Sequence, residues 1–156
     1  MKAHPILAPV DFSPHSERAL ETALRFARCF QQPLLVLHVI HDPNEMPGYY
    51  SRAFKKKRLL HIEDAAAEMF DGFLQTFQQD RKTHFQKLRW ERLLVKGLPA
   101  QRILEVADRH RVSMIVLGSR GLTGLPHLFL GSVAERVMQS ALVPVTVVKA
   151  APAKID

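Results

Sequence analysis

Apolar residues in this chain form two kinds of pattern that alternate along its length. Short, nearly continuous apolar runs predict four buried strands, at residues 6–10, 34–40, 114–117 and 143–148, and an alternating run predicts another at 88–95. Apolar residues spaced three or four positions apart predict four helices, at about residues 14–30, 59–77, 103–107 and 132–142. The third strand alternates apolar with polar residues, and an irregularity is expected near Arg92.

Strands that alternate with helices predict a parallel sheet with right-handed crossovers. The expected fold class is therefore α/β, a single Rossmann-like, open, parallel five-stranded sheet with helices on both faces. One domain is expected over residues 1–150, followed by a frayed tail at 151–156. Residues 41–58, which hold two prolines, a glycine and two tyrosines, are expected to form a long loop or a partly ordered lid.

Two short motifs mark the starts of helices. Ser13 followed by Pro14 predicts an N-cap and a first helical residue, because the serine oxygen can accept from a backbone N–H and proline lacks one. Ser132 with Glu135 three residues later has the spacing of a capping box. Ser132 could therefore serve as the N-cap of the fourth helix.

Composition and charge narrow the class of protein. No apolar run is as long as a membrane span and no signal-like segment is seen, so a cytoplasmic protein without a membrane partner is expected. The net charge of +7 suits anionic partners, but the basic run at 55–58 lacks interleaved aromatic residues, which argues against nucleic acid. The eight histidines and the single cysteine, Cys29, show no metal-ligand spacing.

The segment between the fourth strand and the fourth helix is the most informative about function. Gly118 follows the strand, Gly121 comes three residues later, and Gly131-Ser132 opens the helix. Glycines let a ligand approach the backbone, and the first N–H groups of a helix carry partial positive charge. The arrangement predicts a phosphate cradle. Asp11, at the end of the first strand, would share its crevice if the first and fourth strands are neighbours.

These residues resemble the nucleotide-binding branch of the universal stress protein family. The family pattern of Gly-x-x-Gly, nine residues and Gly-Ser is complete from Gly118 to Ser132. The flanks match as well, at Pro9-Val10-Asp11-Phe12-Ser13, Leu37-His38-Val39-Ile40, Val95-Lys96-Gly97-Leu98-Pro99 and the last strand from Val143 to Lys149. The resemblance spans nearly the whole chain.

The resemblance implies an ATP-binding protein of stress response or signalling. It places the ribose at Asp11, with help from Gly118, and the adenine at the backbone of Val39. Pro9 and Val10 would line the pocket. The phosphates would be held by the loop and the helix start, at Gly121, Gly131, Ser132 and the Val133 backbone N–H. It also implies Mg²⁺ or Mn²⁺ with the triphosphate, and a homodimer through the last strand, whose apolar edge invites pairing.

Plainer interpretations stay open for several of these residues. Asp11 could form an Asx turn ahead of Ser13, the glycines could be turn residues alone, and Ser132 could cap its helix. No Walker sequence, kinase catalytic loop or nucleophile elbow is present, so the sequence favours binding over turnover. The alternative functions are a nucleotide-independent dimeric interaction module and a slow ATPase, or an enzyme that phosphorylates its own Ser119 or Ser132.

Overall fold

The computed structural model of the chain describes residues 4–41, 56–81, 85–121 and 130–150, with the backbone alone at 56–61. Within these ranges, five strands alternate with four helices. The strands are β1 (Ile6–Pro9), β2 (Leu34–His41), β3 (Trp90–Gly97), β4 (Met114–Gly118) and β5 (Val145–Val148). The helices are α1 (Pro14–Phe30), α2 (Lys56–Gln79), α3 (Pro99–Arg109) and α4 (Ser132–Ser140). This alternation confirms the predicted α/β class.

The strands form one parallel sheet in the order β3-β2-β1-β4-β5. The chain builds outward from β1 to β3 and then returns to place β4 on the other side of β1. β1 and β4, which must be neighbours for Asp11 and Gly118 to share one crevice, are paired, with Ile6 opposite Met114 and Leu7 opposite Ile115. The strand order therefore reverses between β1 and β4, and parallel sheets bind ligands outside the carboxyl ends of their strands at such a point.

Helices cover both faces of the sheet, as predicted. Side chains alternate along a strand, so Ile6 and Ala8 of β1 pack with α1 and α2, while Leu7 packs with α3 and α4. The first core also holds the helical side chains Leu20, Leu24, Phe70 and Phe77. The second core holds Ile103, Val106, Ala134 and Val137. Burial on both faces explains why the strands read as continuous apolar runs.

The start of α1 follows the predicted capping pattern. The Ser13 hydroxyl accepts a hydrogen bond from the Ser16 N–H at 3.1 Å, and Pro14 is the first helical residue. The helix ends where Gln31 adopts a left-handed conformation, with its N–H on carbonyls of the last turn. A fixed start for α1 also fixes the loop that connects β1 to it.

Several predicted details of the elements are wrong. The expected 41–58 loop is shorter at both ends, since β2 includes His41 and α2 begins at Lys56, while residues 42–55 lie outside the described ranges. β3 runs from Trp90 to Gly97, two residues later than expected. No irregularity occurs near Arg92, because β3 pairs residue for residue with β2 along its length. The Arg92 side chain instead forms an ion pair with Asp71 of α2 (Nε to Oδ1, 3.0 Å), which a regular strand accommodates.

Two further predictions concern the ends of the chain and its surroundings. The expected tail at 151–156 lies outside the described residues. A search of the helices in the described ranges finds none with the length and apolar character needed to cross a membrane.

Candidate functional site

Asp11 lies where the chain leaves β1 and enters α1. Its Oδ1 accepts a hydrogen bond from the Ser13 N–H at 3.1 Å, and its own N–H donates to the Ser16 Oγ at 3.3 Å. The Asx turn considered for this residue is therefore present. A carboxylate offers about four acceptor positions, so the turn leaves room for ligand hydroxyls on the same group.

The Asp11 carboxylate lies directly against Gly121. A Cβ built on Gly121 would stand 2.6 Å from Asp11 Oδ2, which is closer than real Cβ atoms approach other atoms. A side chain at this position would displace the carboxylate. The structure therefore brings the acid after β1 and the glycine loop after β4 together, as the sequence predicted for neighbouring strands.

Gly118 is required by packing against α1. A Cβ built on it would stand 2.8 Å from the carbonyl carbon of His15 and 3.0 Å from its Cβ. The last residue of β4 thus fits under the first turn of α1 only because it has no side chain. Its predicted help to the ribose stays a prediction, since packing alone accounts for the glycine.

Ser119 ties the glycine loop to its surroundings. It is 1% exposed, its N–H donates to the Val148 carbonyl at 2.8 Å, and its own carbonyl accepts from the Gly131 N–H at 2.7 Å. Its hydroxyl lies 3.3 Å from Nδ1 of His15, which also accepts from the Ala150 N–H at 3.0 Å. These bonds hold the beginning of the loop, the end of β5 and the start of α4 in one place.

The start of α4 differs from the prediction. Gly131, in extended conformation, is the N-cap and makes no side-chain capping bond, while Ser132 is the first helical residue. The predicted capping role of Ser132 is wrong. The physical reason is that the Gly131 N–H is bonded to Ser119 and its carbonyl to the Glu135 N–H at 2.9 Å, which fixes the boundary at Gly131.

The same bond changes what Gly131 can offer a phosphate. Its N–H already donates to the Ser119 carbonyl, so the candidate donors at this helix start are the amides of Ser132 and Val133. Amides in the first turn of a helix have no acceptor within the helix and carry partial positive charge. A Cβ on Gly131 would lie 3.3 Å from the Ser119 carbonyl oxygen and 3.4 Å from Arg120 Cα. The glycine therefore lets the start of α4 pack closely against the backbone at Ser119 and Arg120.

The remaining predicted residues lie at the end of β2 and β1. Pro9 and Val10 are buried, and pairing between the two strands ends at Pro9 with Leu37, after which the Val10 N–H donates to the Leu37 carbonyl at 2.8 Å. Val39 is two residues farther along β2, on the same face of the sheet as Leu37 and beyond the last β1 pair. Its backbone therefore lies past the end of β1, as Asp11 does.

Sequence reasoning missed two residues beside Asp11. Phe12 adopts a left-handed conformation with φ of 67°, and its ring stacks on the His38 ring with centroids 4.3 Å apart. His38 Nδ1 lies 2.8 Å from the Val10 carbonyl oxygen. Burial lowers the pKa of His38, opposed by the bond to Val10 and the charge of Asp11. The only signal in the sequence is an isolated polar residue within an apolar strand.

The long part of the glycine loop, residues 122–129, lies outside the described ranges, so the structure gives the two ends of the predicted cradle. The ranges that are described contain no group of three or more His, Cys, Asp or Glu side chains placed to hold a metal ion. Mg²⁺ takes many of its ligands from water and phosphate oxygens. Asp11 would offer a carboxylate to a divalent ion carried by a triphosphate.

A separate cleft of about 510 Å³ lies at the amino ends of β2 and β3, between the end of α1 and the residues that lead into β3. Its lining includes Arg28, Gln31, Lys87 and Arg89. None of the predicted site residues lines it. Asp11, Gly118 and Gly121 lie instead at the carboxyl ends of β1 and β4.

Comparisons with known proteins find similarity along nearly the whole chain. A family model described as "Universal stress protein family" matches residues 2–149. Universal stress protein YxiE of Bacillus subtilis is 29% identical over 158 aligned positions, covering 92% of this chain and 97% of that protein. UspA from Lactobacillus plantarum has a TM-score of 0.79 at 26% identity, over 95% of this chain and 99% of that one. A universal stress protein from Archaeoglobus fulgidus, solved in complex with dAMP, has a TM-score of 0.64 at 25% identity, over 96% and 100%.

Proposed function

The chain belongs to the universal stress protein family, and we propose that it binds ATP in the crevice between the ends of β1 and β4 and acts as a nucleotide-dependent protein of stress response. The observation that carries the proposal is the contact between the Asp11 carboxylate and Gly121 at the point where the strand order reverses. The complex of the Archaeoglobus fulgidus relative with dAMP supports an adenine nucleotide as the ligand class.

Each end of the crevice suits one part of the nucleotide. The Asp11 carboxylate can accept hydrogen bonds from the two ribose hydroxyls, because an ionised carboxylate is an acceptor only. The amides of Ser132 and Val133 suit the phosphates, as anions bind favourably at a helix N-terminus. Because Gly121 and Gly131 have no side chains, the nucleotide could approach the backbone at both the ribose and the phosphate contacts.

The adenine would lie near the carboxyl end of β2. The Val39 backbone is proposed to meet the adenine edge, since it lies beyond the last residue of β1 that pairs with β2. Pro9 and Val10 would form the buried wall beneath the base. Mg²⁺ or Mn²⁺ would accompany the triphosphate and neutralise part of its charge. We expect slow turnover at most, because Asp11 supplies a carboxylate but no kinase or Walker machinery accompanies it.

A Gly131→Val substitution tests the proposal. The valine side chain would begin 3.3 Å from the Ser119 carbonyl oxygen and 3.4 Å from Arg120 Cα, so it would push the glycine loop away from the helix start, where the phosphates are proposed to bind. We expect ATP affinity, measured by isothermal titration calorimetry, to fall below detection while the circular dichroism spectrum is kept.

The matched control is Gly72→Val on α2, where a Cβ meets no atom within 4 Å. This variant should bind ATP as the natural chain does. Unchanged ATP affinity in Gly131→Val would reject the site. Identification of the small molecule released when freshly purified protein is denatured would then show which nucleotide, if any, the protein carries.

A homodimer through β5 forms part of the proposal. β5 lies at one edge of the sheet, and an edge strand presents backbone groups that can pair with a second chain. Leu142 is 99% exposed just before this strand, and Met138 of α4 is 49% exposed. Light scattering at micromolar concentration should give the mass of two chains, and a monomer mass would contradict the dimer. The cytoplasmic location expected from the sequence stays a prediction.

A further inference from the structure

The loop that carries Asp11 is held on both sides by one side chain of the neighbouring strand. On the side before Asp11, the Val10 carbonyl accepts a hydrogen bond from His38 Nδ1 at 2.8 Å. A carbonyl oxygen only accepts, so Nδ1 must carry the proton. The bond occurs just after the pairing of β1 with β2 ends at Pro9. The imidazole therefore connects β2 to the first residue beyond the paired part of β1.

On the side after Asp11, the Phe12 ring stacks on the His38 ring at 4.3 Å with an interplanar angle of 28°. Phe12 has a φ of 67°, a conformation that residues other than glycine seldom adopt and that persists where surrounding contacts hold it. Two rings of α2 pack against this stack. The Phe73 centroid lies 5.3 Å from that of Phe12, and the Phe70 centroid lies 5.8 Å from that of His38. The packing holds the turn that follows the acid.

Because both neighbours of Asp11 are held by His38, the direction of the carboxylate depends on the imidazole. Oδ1 receives the Ser13 N–H and Oδ2 lies against Gly121, so the carboxylate has little room to find another orientation. An acceptor can bond two ribose hydroxyls only when its two oxygens are correctly directed. Loss of the bond or of the stack would therefore affect the sugar contact before it affected the phosphates.

We propose that His38 is the positioning residue for Asp11, and that it sets the preference of the crevice for a nucleotide with an intact ribose diol. This inference rests on the proposed function, since it assigns the cause of one contact within that site. The plainer account is that His38 only fills the aromatic cluster with Phe12 and Phe70. The two accounts differ in whether a change at His38 affects the sugar specifically.

The experiment compares the affinities for ATP and for 2′,3′-dideoxy-ATP by calorimetry. The natural chain should prefer ATP by about tenfold or more, because hydrogen bonds to a charged group contribute at least that factor. Asp11→Ala serves as the reference that abolishes the preference. His38→Phe keeps a stacking ring but leaves the Val10 carbonyl without its donor, and should reduce the preference to about threefold or less.

Two further variants make the test specific. His38→Asn keeps an N–H donor near the position of Nδ1 but loses the stacking ring, so it should restore only part of the preference for ATP. His110→Phe makes the same substitution after α3, at the amino ends of the strands, and should leave the preference unchanged.

The outcomes separate this inference from the proposed function. A natural chain with equal affinity for both nucleotides removes the ribose role of Asp11, and the inference with it. If Asp11→Ala loses the preference but His38→Phe keeps it, or weakens both nucleotides equally, the positioning role alone is overturned. If His38→Phe does not fold, the Nδ1 proton resonance of His38 in the natural chain should shift with ATP more than with dideoxy-ATP, and equal shifts would overturn the role.

Discussion

Gly118→Ala tests whether the end of β4 is fixed by packing against α1. An alanine Cβ would stand 2.8 Å from the His15 carbonyl carbon and 3.0 Å from His15 Cβ and O, whereas ordinary contact begins at 3.4 Å. The shortfall is about 0.6 Å at the closest atom. The obstructing atoms are mostly backbone of the first turn of α1, which is held by the Ser13 cap and by the Ser119 loop. They cannot rotate away as the end of a long side chain could.

The expected cost follows from this geometry. Overpacking a buried site destabilises a protein by about 1–3 kcal/mol, and the gain of about 0.4–1 kcal/mol from replacing glycine in the unfolded chain offsets part of it. The net loss should be about 1–2 kcal/mol, which lowers the melting temperature by about 2–8 °C for a chain of this size. Urea denaturation should show a lower midpoint with an unchanged slope.

The control is Gly72→Ala in α2, where a Cβ meets no atom within 4 Å. It should stabilise the protein by about 0.5–1 kcal/mol, because alanine has the higher helix propensity. The two alanines are thus expected to act in opposite directions. A Gly118→Ala protein as stable as the natural chain, or stabilised like Gly72→Ala, would refute the packing account of Gly118.

Three further predictions concern the helix starts and His38. Ser13→Ala should cost about 1 kcal/mol in urea denaturation, since its oxygen caps α1 by accepting from Ser16; no loss would contradict the cap. Ser132→Ala should change the free energy of unfolding by less than about 0.5 kcal/mol, because Gly131 is the N-cap. A loss of about 1 kcal/mol would instead indicate that Ser132 caps the helix. Burial lowers the pKa of His38 below 6.5, so the unfolded chain takes up this proton first as the pH falls. Its contribution to stability is therefore complete above pH 6.5 and declines below it, and His38→Phe should show a smaller decline between pH 7 and 5; identical declines would contradict this.

The sheet could be predicted well from the sequence because burial on both faces produces apolar runs that cannot be mistaken for an amphipathic surface. The strand order itself was not predicted, because the sequence placed Asp11 and the glycine loop in one crevice only on the condition that β1 and β4 are neighbours. The boundaries of β3 were less predictable. Its charged residue Arg92 is compensated by Asp71 on another element, and such a pairing is invisible along the chain.

The fine structure of the candidate site could not be predicted for a related physical reason. Ser132 has the spacing of a capping residue, but a long-range bond from the Gly131 N–H to Ser119 sets the helix boundary instead. His38 is 28 residues from Val10 in the chain and meets it only through the pairing of β1 and β2. Contacts made across strands decide both details, whereas local motifs report only on neighbours in sequence.

The central claim is that the crevice between β1 and β4 binds the nucleotide, and amide chemical shifts report on it residue by residue. ATP added to isotope-labelled protein should move the amide resonances of Gly121, Ser132 and Val133 together, with one saturation curve. The amide resonances of Gln31 and Lys87, which line the cleft at the amino ends of β2 and β3, should not shift. Unmoved resonances at the start of α4, or the largest shifts at that cleft, would contradict the account.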